Sequence, residues 1–165
     1  MPVPGRMVDR LTSIAIYVGF AILVLWAGIK LISHSLETKF YKDFLLKWEL
    51  SLHRHNREGG PWPHFSGNNH VQYMDRLIQS MRHNGTSPPK SNTKRAYVYR
   101  LNRLGSPEED LFLLCFPNRI VVYGMSEKTF VKMDKFIDGR ADHERGRFAG
   151  RPGKDGTTYV GVLQL

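Results

Sequence analysis

The residues of this 165-residue chain that could do chemistry are its histidines, one cysteine, and a loop crowded with carboxylates and guanidinium groups. His53, His55, His64, His70 and His83 fall within one stretch, and imidazole nitrogen is a zinc ligand. A helical metal pair needs ligands three or four residues apart on one face. His53 and His55 are two apart and face different ways. The other histidines fall on loops or at helix ends, so all five are expected to be solvated, with no metal among them. Asp138, Asp142 and Asp155 offer oxygen ligands of the kind a calcium ion takes, but no D-x-[DN]-x-[DN]-G run exists. Arg140, Arg145, Arg147 and Arg151 compete for the same carboxylates, which predicts a salt-bridged surface loop. With Lys154, this loop has the arginines and backbone N–H groups that hold phosphate, yet it lacks the spacing G-x-x-x-x-G-K-[ST], and Pro152 removes a donor. Cys115 stands in an apolar run and reads as an inert core thiol; being the single cysteine, it forms no intramolecular disulfide. No G-x-S-x-G, H-E-x-x-H or paired-carboxylate pattern occurs. No catalytic, cofactor-binding or metal residue is therefore assigned, and the chain reads as a non-enzymatic protein without a cofactor.

The element that dominates the chain is Leu11 to Ile29, LTSIAIYVGFAILVLWAGI, which carries no charge. At about 1.5 Å per residue, a helix of this length covers most of a hydrocarbon core of about 30 Å. Lys30 can snorkel, which carries the span to Ile32. The run is too long for a signal peptide and has no small-x-small cleavage site before Lys30. It is also apolar all round, unlike a core helix with one buried face. The sequence thus divides into a tail at 1–10, a transmembrane helix at 11–32, an amphipathic helix at 33–58 continuing the span, and a domain at 59–165. In the amphipathic part Leu36, Phe40, Phe44 or Leu45, Trp48 and Leu52 recur every three to four positions and form one face. One continuous helix is expected from about Leu11 to Asn56, with its second half lying on a partner surface.

Gly59-Gly60-Pro61 stops that helix, and Trp62 and Phe65 in the following loop are expected to fold back over a core edge. A second helix has Val71, Met74, Leu77, Ile78 and Met81 on one face, and a third runs from a Ser126 cap through Phe130, Met133 and Ile137 to Gly139. Strands are expected over 96–104, 111–116, 119–123 and 157–165, the second and third joined as a hairpin through Pro117-Asn118. The stretch from Gly139 to Gly156 reads as a glycine-rich charged loop. The fold class is α+β: a long N-terminal helix, membrane-spanning in its first half, packed on a small antiparallel sheet with two short helices. Net charge is +9 with a pI near 9.8. No block of five or six like charges marks a nucleic-acid arm, so the charge is expected to be a solvated surface facing anionic lipid headgroups, with no nucleic-acid partner.

Three passages carry a resemblance to a known family. The amphipathic helix runs into Gly60-Pro61-Trp62-Pro63. Pro88-Pro89 is followed by Tyr97-Val98-Tyr99. Met133-Asp134-Lys135-Phe136-Ile137-Asp138-Gly139 is followed by Gly146-Arg147. With the overall layout, these resemble the type IV pilin and type II secretion pseudopilin superfamily. The resemblance implies a helix embedded in the membrane by its first half and packed on a small sheet by its second. It further implies an accessory or structural role in a type II secretion or type IV pilus-like system. The expected partners are the lipid bilayer and either secretion or pilus membrane proteins or further copies of the chain. The family's peptidase site is not reproduced: after Gly5 come Arg6 and, where Glu belongs, Arg10, so the first ten residues are expected to stay on the mature protein. Arg6 and Arg10 before the span and Lys30, Lys39 and Lys42 after it favour a cytoplasmic domain by the positive-inside rule. The resemblance implies the reverse. The expected location follows the resemblance: the inner membrane of a bacterium, single-pass, with the C-terminal domain in the periplasm. The alternative is a membrane-tethered binding or sensory module whose basic loop meets anionic lipid or ligand.

Overall fold

A computed structural model describes residues 5–103, 105–140, 142 and 144–165, with side chains from Val8 onward. Residues 1–4 of the tail and Leu104, the expected end of the first strand, lie outside the described residues. Helix α1 spans Gly5–Lys39, a π-helical turn Phe40–Leu45, α2 Leu46–Arg57, α3 His70–His83 and α4 Glu127–Asp138. The strands are β1 Val98–Leu101, β2 Glu109–Phe116, β3 Arg119–Met125, β4 Phe148–Pro152 and β5 Tyr159–Gln164. They form one antiparallel five-stranded sheet in the order β1-β2-β3-β5-β4. The α+β class and the long helix follow the sequence reading.

The chain divides into two compact units, Met1–Ser35 and Leu36–Leu165. In the first, the helix is long and apolar enough to cross a membrane, and none of its most apolar window is buried. Tyr17 is 75% exposed and Leu25 67%, an apolar surface on all sides that water does not favour. Towards the end of this stretch the Lys30 ammonium lies 3.8 Å from the centre of the Trp26 ring, a pairing of the residue types that mark membrane–water interfaces.

In the second unit the helix becomes core. Phe40, Phe44, Leu45, Trp48 and Leu52 are fully buried. A strict 3.6-residue period cannot hold both Phe44 and Leu45 on the inward stripe with Phe40 and Trp48. The π-helical turn admits one extra residue and buries both, which is how the sequence's ambiguity between them resolves. Phe40 and Phe44 meet the Tyr99 ring at 5.2 and 4.9 Å, and the Trp48 indole N–H donates to the Ala96 carbonyl at 3.2 Å. Helix α4 joins this side of the sheet, with Phe130 stacked on Phe148 at 5.3 Å.

The opposite side receives α3. Tyr73 contacts Phe116 and donates its hydroxyl to the Cys115 carbonyl at 2.8 Å, while His70 packs edge-on to Phe112 and Tyr123. Trp62 and Phe65 pack back onto the core as expected. The strands follow the reading except for β4, which lies in the stretch taken for a loop. Its burial pattern is set by one core residue, Phe148, too little for a period-two signal.

Candidate functional site

Two groups of polar side chains in the second unit need explanation. The first is a buried charged cluster. Glu37, in the last turns of α1, is 1% exposed, Arg103 is 4% and Glu109, opening β2, is 8%. Arg103 Nη1 donates to Glu37 Oε1 at 3.0 Å and Nη2 to Glu109 Oε1. Lys132 of α4 closes the cluster, its ammonium 2.7 Å from each oxygen of Glu37. Glu109 also accepts from the Ser126 backbone N–H at 3.1 Å, the Ser126 hydroxyl at 2.8 Å and the Thr129 hydroxyl at 2.7 Å. Ser126 is the N-cap of α4, so one network ties the end of α1 to the start of β2 and the cap of α4. Two carboxylates meet two cations with nearly every oxygen bonded, the condition under which buried charge is tolerated. Glu37 falls off the helical stripe of Leu36, Phe40, Trp48 and Leu52, so periodicity does not mark it as buried. No local signal marks its partner, because Arg103 is 66 residues away.

The second group lines an open cleft of about 790 Å³ on the α3 side of the sheet. His70, Tyr123, Arg151, Pro152, Lys154, Asp155 and Val160 border it. Strand alternation puts Tyr123, Val160 and Arg151 on this face, since Arg151 pairs with Val160 across β4–β5. Helix α3 covers only part of the face, and Val160, Val162 and Ala149 remain half-buried. Among the described residues neither Arg151 nor Lys154 makes an ion pair. Asp155, the carboxylate on the rim, is already committed. It accepts from the backbone N–H of Thr157 at 3.2 Å and of Thr158 at 3.1 Å, and from the Thr158 hydroxyl, which together hold its carboxyl below the usual range. Burial pushes the Tyr123 hydroxyl up, and the guanidinium groups of Arg119 and Arg151 pull against that shift.

The residues singled out from sequence are not brought together. His53, His64 and His83 are exposed as expected. His55 is a correction: it is fully buried. Its ring lies beneath Gly60, where a Cβ would stand 2.1 Å from the imidazole, so only glycine lets the loop close over it. There Nε2 lies 3.4 Å from the Pro61 carbonyl oxygen, and the ring meets Trp62 edge-on. His70 is half-buried between Phe65, Phe112 and Tyr123. No group of three or more metal-ligating side chains occurs among the described residues.

The expected pairing of the loop carboxylates with arginines is also corrected. Asp138 accepts the backbone N–H groups of Arg147 and Phe148, each at 2.9 Å, and so fastens the start of β4 to the end of α4. Gly146 passes over that carboxylate at φ 121°, and a Cβ would meet it at 2.3 Å. The Asp138-Gly139…Gly146-Arg147 passage is thus a structural clamp. Asp142 accepts from Glu144 N–H at 3.3 Å, and Arg147 reaches instead to Glu49 of α2 at 2.6 Å. A carboxylate close to unpaired backbone donors meets those first, because a surface guanidinium keeps its water at little loss. Cys115 is buried and its thiol is pushed up by that burial, as an inert core residue should be.

Comparison of the chain with protein families, curated proteins and solved structures finds no match.

Proposed function

We propose that this chain is a single-pass, non-enzymatic protein of the bacterial inner membrane whose periplasmic domain serves a type II secretion or type IV pilus-like system as an accessory or structural component. The observation that carries the proposal is the dual use of one helical run. Its first part exposes only a long apolar surface, and its continuation supplies Phe40, Phe44, Leu45, Trp48 and Leu52 to the core beneath an antiparallel sheet. The pilin resemblance rests on that same division of labour. A protein built this way tethers a folded domain to a bilayer, which suits assembly. The described polar clusters favour a binding role over catalysis. One cluster is charge-compensated, and the other presents cations beside no nucleophile–base pair. Co-purification after gentle detergent extraction tests the reading: secretion or pilus subunits in the eluate are expected, and their absence counts against it.

A further inference from the structure

The cleft between α3 and the β4–β5 hairpin has the chemistry of an anion site. Five cations of this domain are engaged with carboxylates: Arg100 with Asp110, Arg103 with Glu37 and Glu109, Lys132 with Glu37, Arg147 with Glu49, Lys47 with Asp43. Arg151 and Lys154 make no ion pair among the described residues, and both line this one cleft. They sit three residues from each other, Arg151 in β4 and Lys154 in the turn that leads to β5, and the Asp155 carboxylate beside them accepts that turn's own N–H and hydroxyl groups. Both cations line the cleft without an ion pair among the described residues, and the Asp155 carboxylate at its rim, still an anion, is held by its own turn. The remaining lining is not plain surface. Tyr123 and Val160 give it an apolar floor, and the His70 ring stands edge-on to the Tyr123 ring at 5.8 Å, fixing the back wall. A guanidinium fork and an ammonium point charge above an aromatic floor match a phosphate group carried on an apolar or neutral body.

Strand addition does not fit this end of the sheet. β4 is an edge strand, but Asp138 occupies the Phe148 N–H, and Pro152 has none to offer. The face is open where the edge is blunted.

We infer that the cleft bordered by His70, Tyr123, Arg151, Lys154 and Val160 binds a phosphate-bearing ligand, either a soluble phosphorylated molecule or a phospholipid headgroup. The site lies wholly within the folded domain and does not depend on the secretion or pilus assignment, so the two can fail separately.

The test uses the full chain in neutral detergent micelles with fluorotyrosine placed at position 123 and read by fluorine NMR. One arm adds inorganic pyrophosphate, and the other adds short-chain phosphatidylglycerol against phosphatidylcholine. A saturable shift with pyrophosphate assigns a soluble ligand; one with phosphatidylglycerol alone assigns a headgroup; both support the site. The double variant R151Q/K154Q should weaken binding about tenfold or more while its melting temperature stays unchanged. K94Q, an exposed cation at the opposite, β1 edge of the sheet, should bind as the parent does. No saturable shift with either probe overturns the inference. So does an equal shift from chloride at matched ionic strength, or unchanged affinity in the double variant.

Discussion

The buried cluster around Arg103 and the open cleft around Arg151 use the same residue types for opposite ends. In the cluster each cation faces a carboxylate, Glu37, Arg103 and Glu109 are buried with Lys132 at the rim, and the network joins three elements. In the cleft the cations have no acidic partner among the described residues and keep their water, and the neighbouring carboxylate is spent on its own turn. A charge compensated inside the protein is architecture, whereas a charge left open on a shaped surface is available to something else. Partnering and burial distinguish the two, and residue type does not.

That contrast can be broken by one pair of substitutions. Arg103→Met leaves Glu109 buried without a cation and Glu37 with Lys132 alone, and should cost about 3–5 kcal/mol in chemical denaturation. Arg151→Met should stay within about 0.5 kcal/mol of the parent. Equal costs would erase the distinction. Trp48→Ala, on the face that α2 lays on the sheet, should also lose about 3–5 kcal/mol. A loss below about 1 kcal/mol would show that this face is not core.

Asp138→Ala removes the acceptor of two backbone N–H groups and should cost about 1–3 kcal/mol. Hydrogen exchange should then speed up at Arg147 and Phe148 ahead of the rest of the sheet; uniform exchange would contradict the clamp. The smallest effect expected is alkaline. Burial and the hydrogen bond to Asp75 push the Tyr97 hydroxyl up to about 12 from its ordinary 10.0. Because the folded state holds that proton more tightly, the contribution is complete below pH 10 and is lost as pH rises through 12. Tyr97→Phe should flatten part of the decline in stability above pH 10, and an unchanged slope would exclude the contribution.

Much of the fold was legible in the sequence because periodicity reports burial. The apolar run 11–29, the stripe Phe40 to Leu52, the Ser126 cap and the Pro117-Asn118 hairpin each have a local physical signature, and each stands where the residues put it. What was not legible depended on distance. His55 reads as a surface histidine until Gly60 folds over it. Glu37 reads as a solvated helix residue until Arg103 and Lys132 arrive from far along the chain. β4 has too few buried residues to announce a strand and forms because Asp138 and β5 hold it. The cleft escaped in part: Arg151 and Lys154 were visible as a basic loop, but nothing local ties them to His70 and Tyr123.

The central claim is that one helix is both bilayer anchor and domain core. Cysteine labelling tests it directly, since Cys115 is buried and silent in the folded chain. Single cysteines at Phe20, Val24 and the exposed Lys94 would be probed in cells with a permeabilised outer membrane by a membrane-impermeant maleimide. The account predicts that Lys94→Cys labels at once, and that Phe20→Cys and Val24→Cys stay unlabelled because a thiolate does not form in hydrocarbon. Labelling of all three at similar rates would contradict the anchor. Protection of Lys94→Cys until the inner membrane is broken would place the domain on the cytoplasmic side.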